Sequence, residues 1–469
     1  MPFLDRAVEL EALHRAIPAS GSVLFVLYGR RRIGKTELLR HFMAPRGGVF
    51  FTGDLGTSAL HVRGLARSLG EALEDHFLAA RPPEDWPTLL DYLESREGPL
   101  DLVLDEFPYL CQGEPALPSL LQKIWDRTWK DREVRLVLCG SSVSFMEDEV
   151  LSQKSPLFGR RSGQMRLRAM DFWGARLFVP AWKAEDQVLA YACLGGTPAW
   201  LAKFDPLLSL RENLCQRVLD PVSYLFEEPR LLLHQEFREP RHYFAILSSV
   251  AAGNTRLNEI AQDIGLERSF AGRYLNSLVA LELVDREVPA TERDPLRSRK
   301  GRYRLADPFF RFWFRFVQPH ITELHAGQGA KVLERRIMPQ MAHFVAPVFE
   351  ELCREWLRHR SLAGEIGFRP DAIGRWWTRD QDIDLVAFDR QDALFGECKW
   401  SSAPVGPAVL RDLQSKASRV LELADRRARY ALFSRSGFRG LEPGPDLLLV
   451  DLPAIVEDRM PRHPPSVIG

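Results

Sequence analysis

The chain has 469 residues, 45% hydrophobic and 27% charged, which suits several globular domains and excludes a largely disordered chain. Its 63 basic residues balance 63 acidic ones, which excludes a uniformly basic nucleic-acid coat protein. No run approaches the roughly 18 apolar residues of a membrane span, and the N-terminus lacks a signal-peptide core, so we expect a cytoplasmic protein with no membrane partner.

Apolar runs alternate with helical stretches through the first 170 residues. Short runs at residues 23–28, 49–52, 100–104 and 134–139 predict buried strands, and helices such as 36–43 and 59–76 separate them. This alternation is typical of a parallel α/β sheet. From about residue 185 to residue 237 the pattern becomes almost wholly helical.

The first motif is GRRRIGKT at residues 29–36, which fits the phosphate-binding pattern G-x-x-x-x-G-K-[ST]. It follows an apolar strand and opens a helix, so its backbone N–H groups and the helix N-terminus are expected to hold the phosphates of a nucleotide. Lys35 would neutralise phosphate charge, and the Thr36 hydroxyl would bind Mg²⁺. The predicted nucleotide-binding residues here are Gly29, Arg30, Arg31, Arg32, Ile33, Gly34, Lys35 and Thr36.

A partner motif is LDLVLDE at residues 100–106, an apolar strand that ends in two carboxylates. Asp105 is the predicted Mg²⁺-side residue, and Glu106 is the predicted base for the water that attacks the γ-phosphate. An acidic strand end alone is common, but its combination with the phosphate loop predicts nucleotide hydrolysis.

Polar residues after the next strand would lie in the same crevice. A hydroxyl from Ser141 or Ser142 would sense the γ-phosphate or position the water, or would merely cap a helix. Arg160 and Arg161 in SPLFGRRSGQ either reach a γ-phosphate or are ion-paired surface residues.

With these residues, the chain resembles the archaeal-type ATPases of the AAA superfamily, close to the STAND class of signalling NTPases. The resemblance is carried in chain order by YGRRRIGKTELL, LVLDEFPYL, LCGSSVSFM, SPLFGRRSGQ, YACLGGTPAWL, DPFFRFWFRFV and ECKW. It implies ATP and Mg²⁺ as cofactors and an ASCE-type P-loop core with a helical lid and a winged helix. In that class a G-x-P element of the lid contacts the base, so Gly196 and Pro198 join the predicted nucleotide site.

Two helices with a Gly-containing turn, at residues 256–266 and 270–281, precede strands near 283–288 and 303–305 and predict the winged helix. The functional interpretation is DNA contact through Ser269, Arg273 and Asn276, helped by a basic loop; the alternative is packing on the nucleotide domain. The loop's basic residues are Arg293, Arg297, Arg299, Lys300 and Arg302. The aromatics at 309–316 either stack on bases or form a core helix with Arg311 and Arg315 exposed.

The last segment begins with a predicted linker from about residue 318, containing Gly327 and Gly329, and a helix at 348–358. Strands at 384–388 and 394–398, joined by a turn at 389–392, would bring Asp384, Glu397 and Lys399 together. Two carboxylates that hold Mg²⁺ and a lysine suit phosphodiester hydrolysis. The arrangement resembles the PD-(D/E)xK nuclease superfamily, although Ile383 replaces its proline; Glu350 or Glu351 matches the acidic helix residue. The alternative is a salt-bridged, catalytically silent hairpin.

These motifs predict an α/β multidomain chain: a parallel-sheet P-loop ATPase at 1–180, a helical lid at 181–237, a winged helix at 238–317 and a restriction-endonuclease-like domain at 318–469. The first hypothesis is an ATP-hydrolysing switch that controls a Mg²⁺-dependent nuclease, with nucleic acid, DNA favoured, as partner. The second is a nucleotide-gated DNA-binding or scaffold protein, and the third is a motor built as a ring of subunits. An arginine that acts in trans would imply a homo-oligomer that assembles on ATP binding, whereas one that acts in cis would not.

Overall fold

The computed structural model describes residues 3–458, which divide into two units, residues 3–169 and residues 170–458. In the first unit, parallel strands form one sheet in the order β2-β3-β4-β1-β5. The strands are Val23–Tyr28 (β1), Val49–Thr52 (β2), Leu100–Asp105 (β3), Val134–Gly140 (β4) and Gly163–Arg166 (β5). The helices are Ala7–Ala16 (α1), Lys35–Met43 (α2), Ser58–Ala72 (α3), His76–Ala80 (α4), Trp86–Ser95 (α5), Phe107–Gly113 (α6), Leu117–Arg127 (α7) and Val143–Phe145 (α8).

The predicted strands of this sheet are confirmed, with β3 and β4 each one residue longer than the apolar run. Every residue of β1 and β4 is buried, as expected of parallel strands that are covered on both faces of the sheet. Strand β5 was not predicted because its sequence, GQMR, is short and polar. A polar sequence is tolerated there because β5 lies at the edge of the sheet.

The helix expected at residues 59–76 is confirmed as α3, but α3 ends at Ala72 and a separate helix, α4, begins at His76. Asp75 accepts hydrogen bonds from the N–H groups of Phe77 and Leu78, and this N-cap starts a new helix.

The second unit is mostly helical up to residue 280. The helical character predicted for residues 185–237 and the two helices predicted at 256–266 and 270–281 are confirmed, whereas the helix at Arg241–Ala251 was not predicted. Its helices there are Phe172–Ala175 (α9), Ala184–Leu194 (α10), Pro198–Leu201 (α11), Leu210–Asn213 (α12), Tyr224–Glu236 (α13), Arg241–Ala251 (α14), Leu257–Asp263 (α15) and Arg268–Ala280 (α16). Antiparallel strands Val284–Glu287 (β6) and Arg302–Leu305 (β7) follow and form the β6–β7 hairpin.

The next helices are Pro308–Phe312 (α17), Ile321–His325 (α18), Gly329–Val332 (α19) and Met341–Leu362 (α20), joined by π-helical and 3₁₀ turns between residues 313 and 340. The helix predicted at 348–358 is confirmed within α20, whereas α18 and α19 lie where the sequence predicted a linker. The linker interpretation was wrong because apolar residues such as Leu324, Val332 and Ile337 are buried at helical spacing, and Gly327 only ends α18.

The aromatic residues at 309–316 belong to the core. Phe309, Phe310, Phe312, Trp313, Phe314 and Phe316 are each at most 2% exposed, which confirms the core-helix interpretation over base stacking. The expectation of two exposed arginines was wrong in part, since Arg311 is half-buried and donates a hydrogen bond to the carbonyl oxygen of Phe344.

The C-terminal sheet is mixed, with order β12-β11-β10-β9-β8. Its strands are Ala372–Trp377 (β8), Asp382–Phe388 (β9), Asp392–Lys399 (β10), Arg427–Ser434 (β11) and Leu447–Asp451 (β12), with helices Pro407–Ala417 (α21) and Leu452–Val456 (α22). Strands β8, β9 and β10 are antiparallel neighbours, whereas β10, β11 and β12 run parallel. The predicted hairpin is confirmed as β9–β10. Among residues 3–458, no helix combines the length and apolar character that crossing a membrane requires.

Candidate nucleotide site and C-terminal carboxylate site

The phosphate loop joins the C-terminal end of β1 to the first turn of α2. A side chain at Gly29 would place its Cβ 2.3 Å from the backbone oxygen of Leu167, so only glycine fits there. Gly34 has φ of 92° where it caps α2, and Arg32 adopts φ of 68° in the loop. These backbone conformations turn the loop around the N-terminus of α2, as phosphate binding by main-chain N–H groups requires.

Lys35, Thr36 and Asp105 converge at this loop. Lys35 is 4% exposed, and its Nζ donates a hydrogen bond of 2.9 Å across the loop to the carbonyl oxygen of Arg30. Thr36 Oγ1 donates to Asp105 Oδ2 at 2.7 Å, and Asp105 is 1% exposed at the end of β3. A hydroxyl and a carboxylate oxygen at this separation are the ligand types that Mg²⁺ prefers, so this pair fits the ion.

Glu106 and Ser141 lie together beside that pair. Glu106 has φ of 51° at the start of α6, a left-handed conformation that is rare outside glycine. Ser141, which is buried after β4, donates its hydroxyl to Glu106 Oε1 at 2.5 Å. This hydrogen bond holds the carboxylate of Glu106, the predicted base, in place.

Sequence reasoning missed two residues that brace the loop from outside. Arg6 is 5% exposed and donates to the carbonyl oxygens of Ile33 at 3.1 Å and Arg168 at 2.7 Å. Tyr109, in α6, accepts a hydrogen bond of 2.9 Å from Arg31. Both act over more than 25 residues of sequence, so no local pattern signals them.

The predicted arginines 160 and 161 bind groups within their own unit. Arg160 holds Asp126 with two hydrogen bonds, of 2.8 and 2.7 Å, and Arg161 donates to the carbonyl oxygen of Leu151 at 2.8 Å. A role at the γ-phosphate stays a prediction.

Gly196 and Pro198 lie in the second unit, in the turn between α10 and α11. The backbone nitrogen of Met170 donates to the carbonyl oxygen of Gly196 at 2.8 Å, and a Cβ at Gly196 would stand 1.7 Å from the oxygen of Met170. Pro198 opens α11. Glycine is therefore required here by close backbone packing, and contact with a base stays a prediction.

The C-terminal site brings together the three residues that the sequence predicted for it. The β9–β10 register pairs Leu385 with Gly396, and Asp384 and Glu397 come next on their strands. Asp384 Oδ2 accepts a 2.9 Å hydrogen bond from the backbone nitrogen of Cys398. Lys399 Nζ donates to Glu397 Oε1 at 2.5 Å. Both carboxylates are at most 8% exposed.

Burial and neighbouring charges perturb the pKa of two carboxyl groups at this site, those of Asp384 and Glu350. Burial, and then the negative charges of Glu350 and Glu397, raise the pKa of Asp384 to about 7. Burial also raises the pKa of Glu350 on α20, although Arg375 acts against it. A buried carboxyl group whose pKa is raised by its neighbours is a common feature of functional sites.

Glu350 and Glu351, either of which could match the acidic helix residue, have different surroundings in the structure. Glu351 Oε2 accepts from Arg304 at 2.9 Å and from Arg354 at 2.7 Å; although burial opposes them, these arginines lower the pKa of Glu351 to about 2. Glu350 Oε2, in contrast, is buried and accepts no hydrogen bond from residues 3–458. Glu350 is therefore the stronger candidate for a metal-site residue.

Lys416, on α21, is a further member of the site that no sequence pattern indicated. Its Nζ lies 3.5 Å from Glu397 Oε2 and 3.1 Å from Asp412. Glu397 Oε2 is buried and accepts no hydrogen bond within the described part of the chain. Because this oxygen makes an ion pair but accepts no hydrogen bond, it fits a divalent cation, which Asp384 and Glu397 would hold in place of that ion pair.

Metal-binding groups of three or more His, Cys, Asp or Glu side chains are absent from residues 3–458. A cation at either site would therefore complete its coordination with substrate oxygens and water, as Mg²⁺ commonly does.

The candidate DNA-contacting residues Ser269, Arg273 and Asn276 are exposed on α16. In the basic loop, Lys300 pairs with Glu292 at 2.6 Å and Arg297 with Asp294 at 3.7 Å, which reduces the local positive charge. DNA binding by this segment stays a prediction.

Two family models match separate parts of the chain. Residues 3–204 match the family described as an ATPase domain predominantly from Archaea. Residues 313–416 match a family described as archaeal and bacterial proteins of unknown function. The uncharacterized protein MJECL04 of Methanocaldococcus jannaschii is 32% identical over 454 residues, which cover 96% of this chain and 99% of that protein.

Two further likenesses are narrower. An uncharacterized ATP-binding protein of the same organism, MJ0423, is 46% identical over 41 residues, 9% of this chain and 70% of that protein. A solved structure, the Walker-type ATPase paby2304 of Pyrococcus abyssi, is similar in fold with a TM-score of 0.51 and 20% identity. That match covers 67% of this chain and 96% of the other.

Proposed function

The chain belongs to the family of MJECL04, and because its residues 3–204 also match an ATPase domain predominantly from Archaea, we propose that it is an ATP-hydrolysing switch coupled to a Mg²⁺-dependent phosphodiesterase domain. The observation that carries the ATPase half is the convergence of Lys35, Thr36 and Asp105 on one loop. The switch interpretation takes support from the presence of a second candidate site in the same chain.

ATP hydrolysis at the first site depends on positioning and charge. Lys35 exchanges its bond with the Arg30 carbonyl for phosphate oxygens, and the loop N–H groups hold the same phosphates. Thr36 and Asp105 would hold Mg²⁺, which when bound neutralises phosphate charge. Glu106, fixed by Ser141, accepts the proton of the attacking water.

Phosphate release from Mg-ATP by the purified chain tests this half. We expect Asp105→Asn to abolish turnover, because it removes the charge that Thr36 faces at 2.7 Å. The matched control is Asp101→Asn at the other end of β3, which faces Arg135 and should keep turnover. Unchanged turnover in Asp105→Asn would reject the assigned site.

The C-terminal site supports phosphodiester hydrolysis of nucleic acid, DNA favoured. Asp384 and Glu397 would hold Mg²⁺, which when bound supplies Lewis acidity to the reaction, and the charge of Glu350 acts on Asp384. Lys399 would position the water or offset phosphate charge. The mixed sheet, with α20 preceding β8 and α21 following β10, supports the nuclease-like assignment.

A second candidate function is a nucleotide-gated DNA-binding or scaffold protein whose last domain does not cut. The ion pairs of Glu397 with Lys399 and Lys416 favour it, because they satisfy the carboxylate without a metal. Incubation with nucleic acids, Mg²⁺ and ATP separates the two functions. Cleavage that disappears in Glu397→Gln and Lys399→Ala supports the first, and cleavage that persists in both variants rejects the site.

A further inference from the structure

The β6–β7 hairpin packs against the domain that carries the candidate nuclease site. The backbone nitrogen of Ala290, which follows β6, donates a 2.7 Å hydrogen bond to the carbonyl oxygen of Arg375 in β8. The guanidinium of Arg302 in β7 stacks on the ring of Trp377, 4.9 Å from its centre. Backbone and side chains thus join the hairpin to the edge strand of the C-terminal sheet.

One chain of contacts runs from the hairpin to Asp384. Arg304 of β7 lies 3.1 Å from Glu287 of β6 and 2.9 Å from Glu351 of α20. The same oxygen of Glu351 binds Arg354 at 2.7 Å. Arg354 is buried and donates to the carbonyl oxygen of Asp384 at 2.8 Å. Two arginines and one carboxylate therefore connect the hairpin to the backbone of a candidate metal ligand.

A second chain of contacts runs from the hairpin to Glu350. Arg375 lies 3.9 Å from Glu287, 3.7 Å from Glu350 and 3.4 Å from Asp382. Glu287 thus contacts both Arg304 and Arg375. Contacts therefore connect the hairpin to Asp384 through Arg304 and to Glu350 through Arg375. Glu287 of the hairpin takes part in both.

We propose that Arg304 and Arg375 are positioning residues of the C-terminal site, so that the β6–β7 hairpin forms part of it. The inference rests on the proposed function and concerns the regulation of that same site. Arg304 donates a 2.9 Å hydrogen bond to Glu351, and a guanidinium held in this way fixes a carboxylate in direction as well as distance. Arg375 donates to Asp382 at 3.4 Å and acts on Glu350 and Glu287 through its charge. Partners one shell away from metal ligands commonly set the affinity of the site. A rearrangement of the hairpin would therefore change the site without touching substrate.

The sign of a metal-affinity change distinguishes positioning from simple electrostatics. Removal of a nearby positive charge, by itself, strengthens the binding of a divalent cation. Loss of positioning weakens it. Arg304→Gln and Arg375→Gln remove the charge in each case, so the two explanations predict opposite results.

Titration calorimetry of the nucleotide-free full chain with Mn²⁺ measures this affinity without any catalytic assay. The heat that Asp384→Asn removes belongs to the C-terminal site. We expect Arg304→Gln and Arg375→Gln each to weaken that binding by about tenfold. Arg427→Gln, which loses an exposed arginine at the far end of β11, should bind as the unsubstituted chain does.

Each failure has its own signature. If the unsubstituted chain shows no heat that depends on Asp384, the proposed metal site is overturned and this inference with it. If that heat is present but both glutamine variants bind Mn²⁺ equally or more tightly, the positioning role alone is overturned. Should the glutamine variants unfold, Arg304→Lys and Arg375→Lys keep the charge but lose the planar fork. Weaker binding in these supports the inference, and unchanged binding overturns it.

Discussion

Glu106 illustrates how one residue acquires a chemical role from its surroundings. Its left-handed backbone and its hydrogen bond with Ser141 fix a carboxylate beside the Asp105–Thr36 pair. A fixed carboxylate next to a nucleotide suits proton abstraction from water, and the proposed function assigns metal binding to Asp105 instead.

The first prediction concerns this base. Glu106→Gln should retain ATP binding and lower the turnover number by about 10²- to 10⁴-fold, because glutamine keeps the shape but accepts no proton. Binding is measured by calorimetry and turnover by phosphate release. Glu133→Gln, an exposed glutamate that precedes β4, is the control and should keep both. Loss of ATP binding in Glu106→Gln would contradict the role.

Glu355 has a titratable carboxyl group that the proposed chemistry does not use. Burial, and then the negative charges of Glu351 and Asp171, raise the pKa of Glu355 to about 8, and one of its oxygens accepts no hydrogen bond within residues 3–458. A folded-state pKa above the unfolded value means that the folded chain holds the proton more tightly. Stability is therefore lost as pH rises between about 4 and about 8.

The second prediction follows from that sign. Glu355→Gln removes the titration, so its melting temperature should exceed that of the unsubstituted chain by an amount that grows from pH 5 to pH 8. Removing one proton-linked group changes the slope of unfolding free energy by up to about 1.4 kcal/mol per pH unit. A difference that stays constant or shrinks as pH rises would refute the assignment.

Among the elements, the strands of the P-loop sheet were predictable because burial on both faces demands continuous apolar runs. Three other strands were not predicted: β5 is short and polar, and β8 and β11 mix arginines with apolar residues. The segment 318–340 was misread because its glycines suggested a linker, whereas buried apolar side chains hold it helical. Tertiary packing decided these cases.

The same division holds for the sites. Local motifs indicated Lys35, Asp105 and Glu397, because strand ends and loops bring neighbours in sequence to one place. The site contacts of Arg6, Lys416 and Arg375 were not predicted, because these residues contact their partners from elements that are distant in sequence.

The third prediction tests the turn between α10 and α11. Gly196→Ala places a methyl group 1.7 Å from the backbone oxygen of Met170, so the turn must shift, and we expect a loss of stability of about 1–3 kcal/mol or more. Gly444→Ala is the matched control, because nothing lies within 4 Å of its Cβ position. Equal melting temperatures of the two variants in thermal unfolding would show that the turn yields freely.

For the whole molecule, the proposed switch requires that the nucleotide site and nucleic-acid binding share free energy. Such coupling is reciprocal: ATP must change DNA affinity by the same factor by which DNA changes ATP affinity. With zero formal net charge, DNA binding depends on local patches.

The fourth prediction measures that factor in the Lys399→Ala variant, which should not cut. We expect a non-hydrolysable ATP analogue to change the dissociation constant for duplex DNA about 5-fold or more, with the same factor in the reverse titration. Fluorescence anisotropy at fixed salt gives both constants. If saturating DNA leaves the affinity for ATP unchanged, the two sites are not coupled and the switch is contradicted.

The account depends first on a magnesium-bound nucleotide in the loop at residues 29–36. Calorimetric titration of the folded chain with Mg-ATP tests this directly, with Lys35→Ala as the variant and Lys123→Ala on α7 as its control. We predict binding to one site per chain that Lys35→Ala removes and Lys123→Ala preserves. No heat from the unsubstituted chain, or equal affinity in Lys35→Ala, would contradict the account.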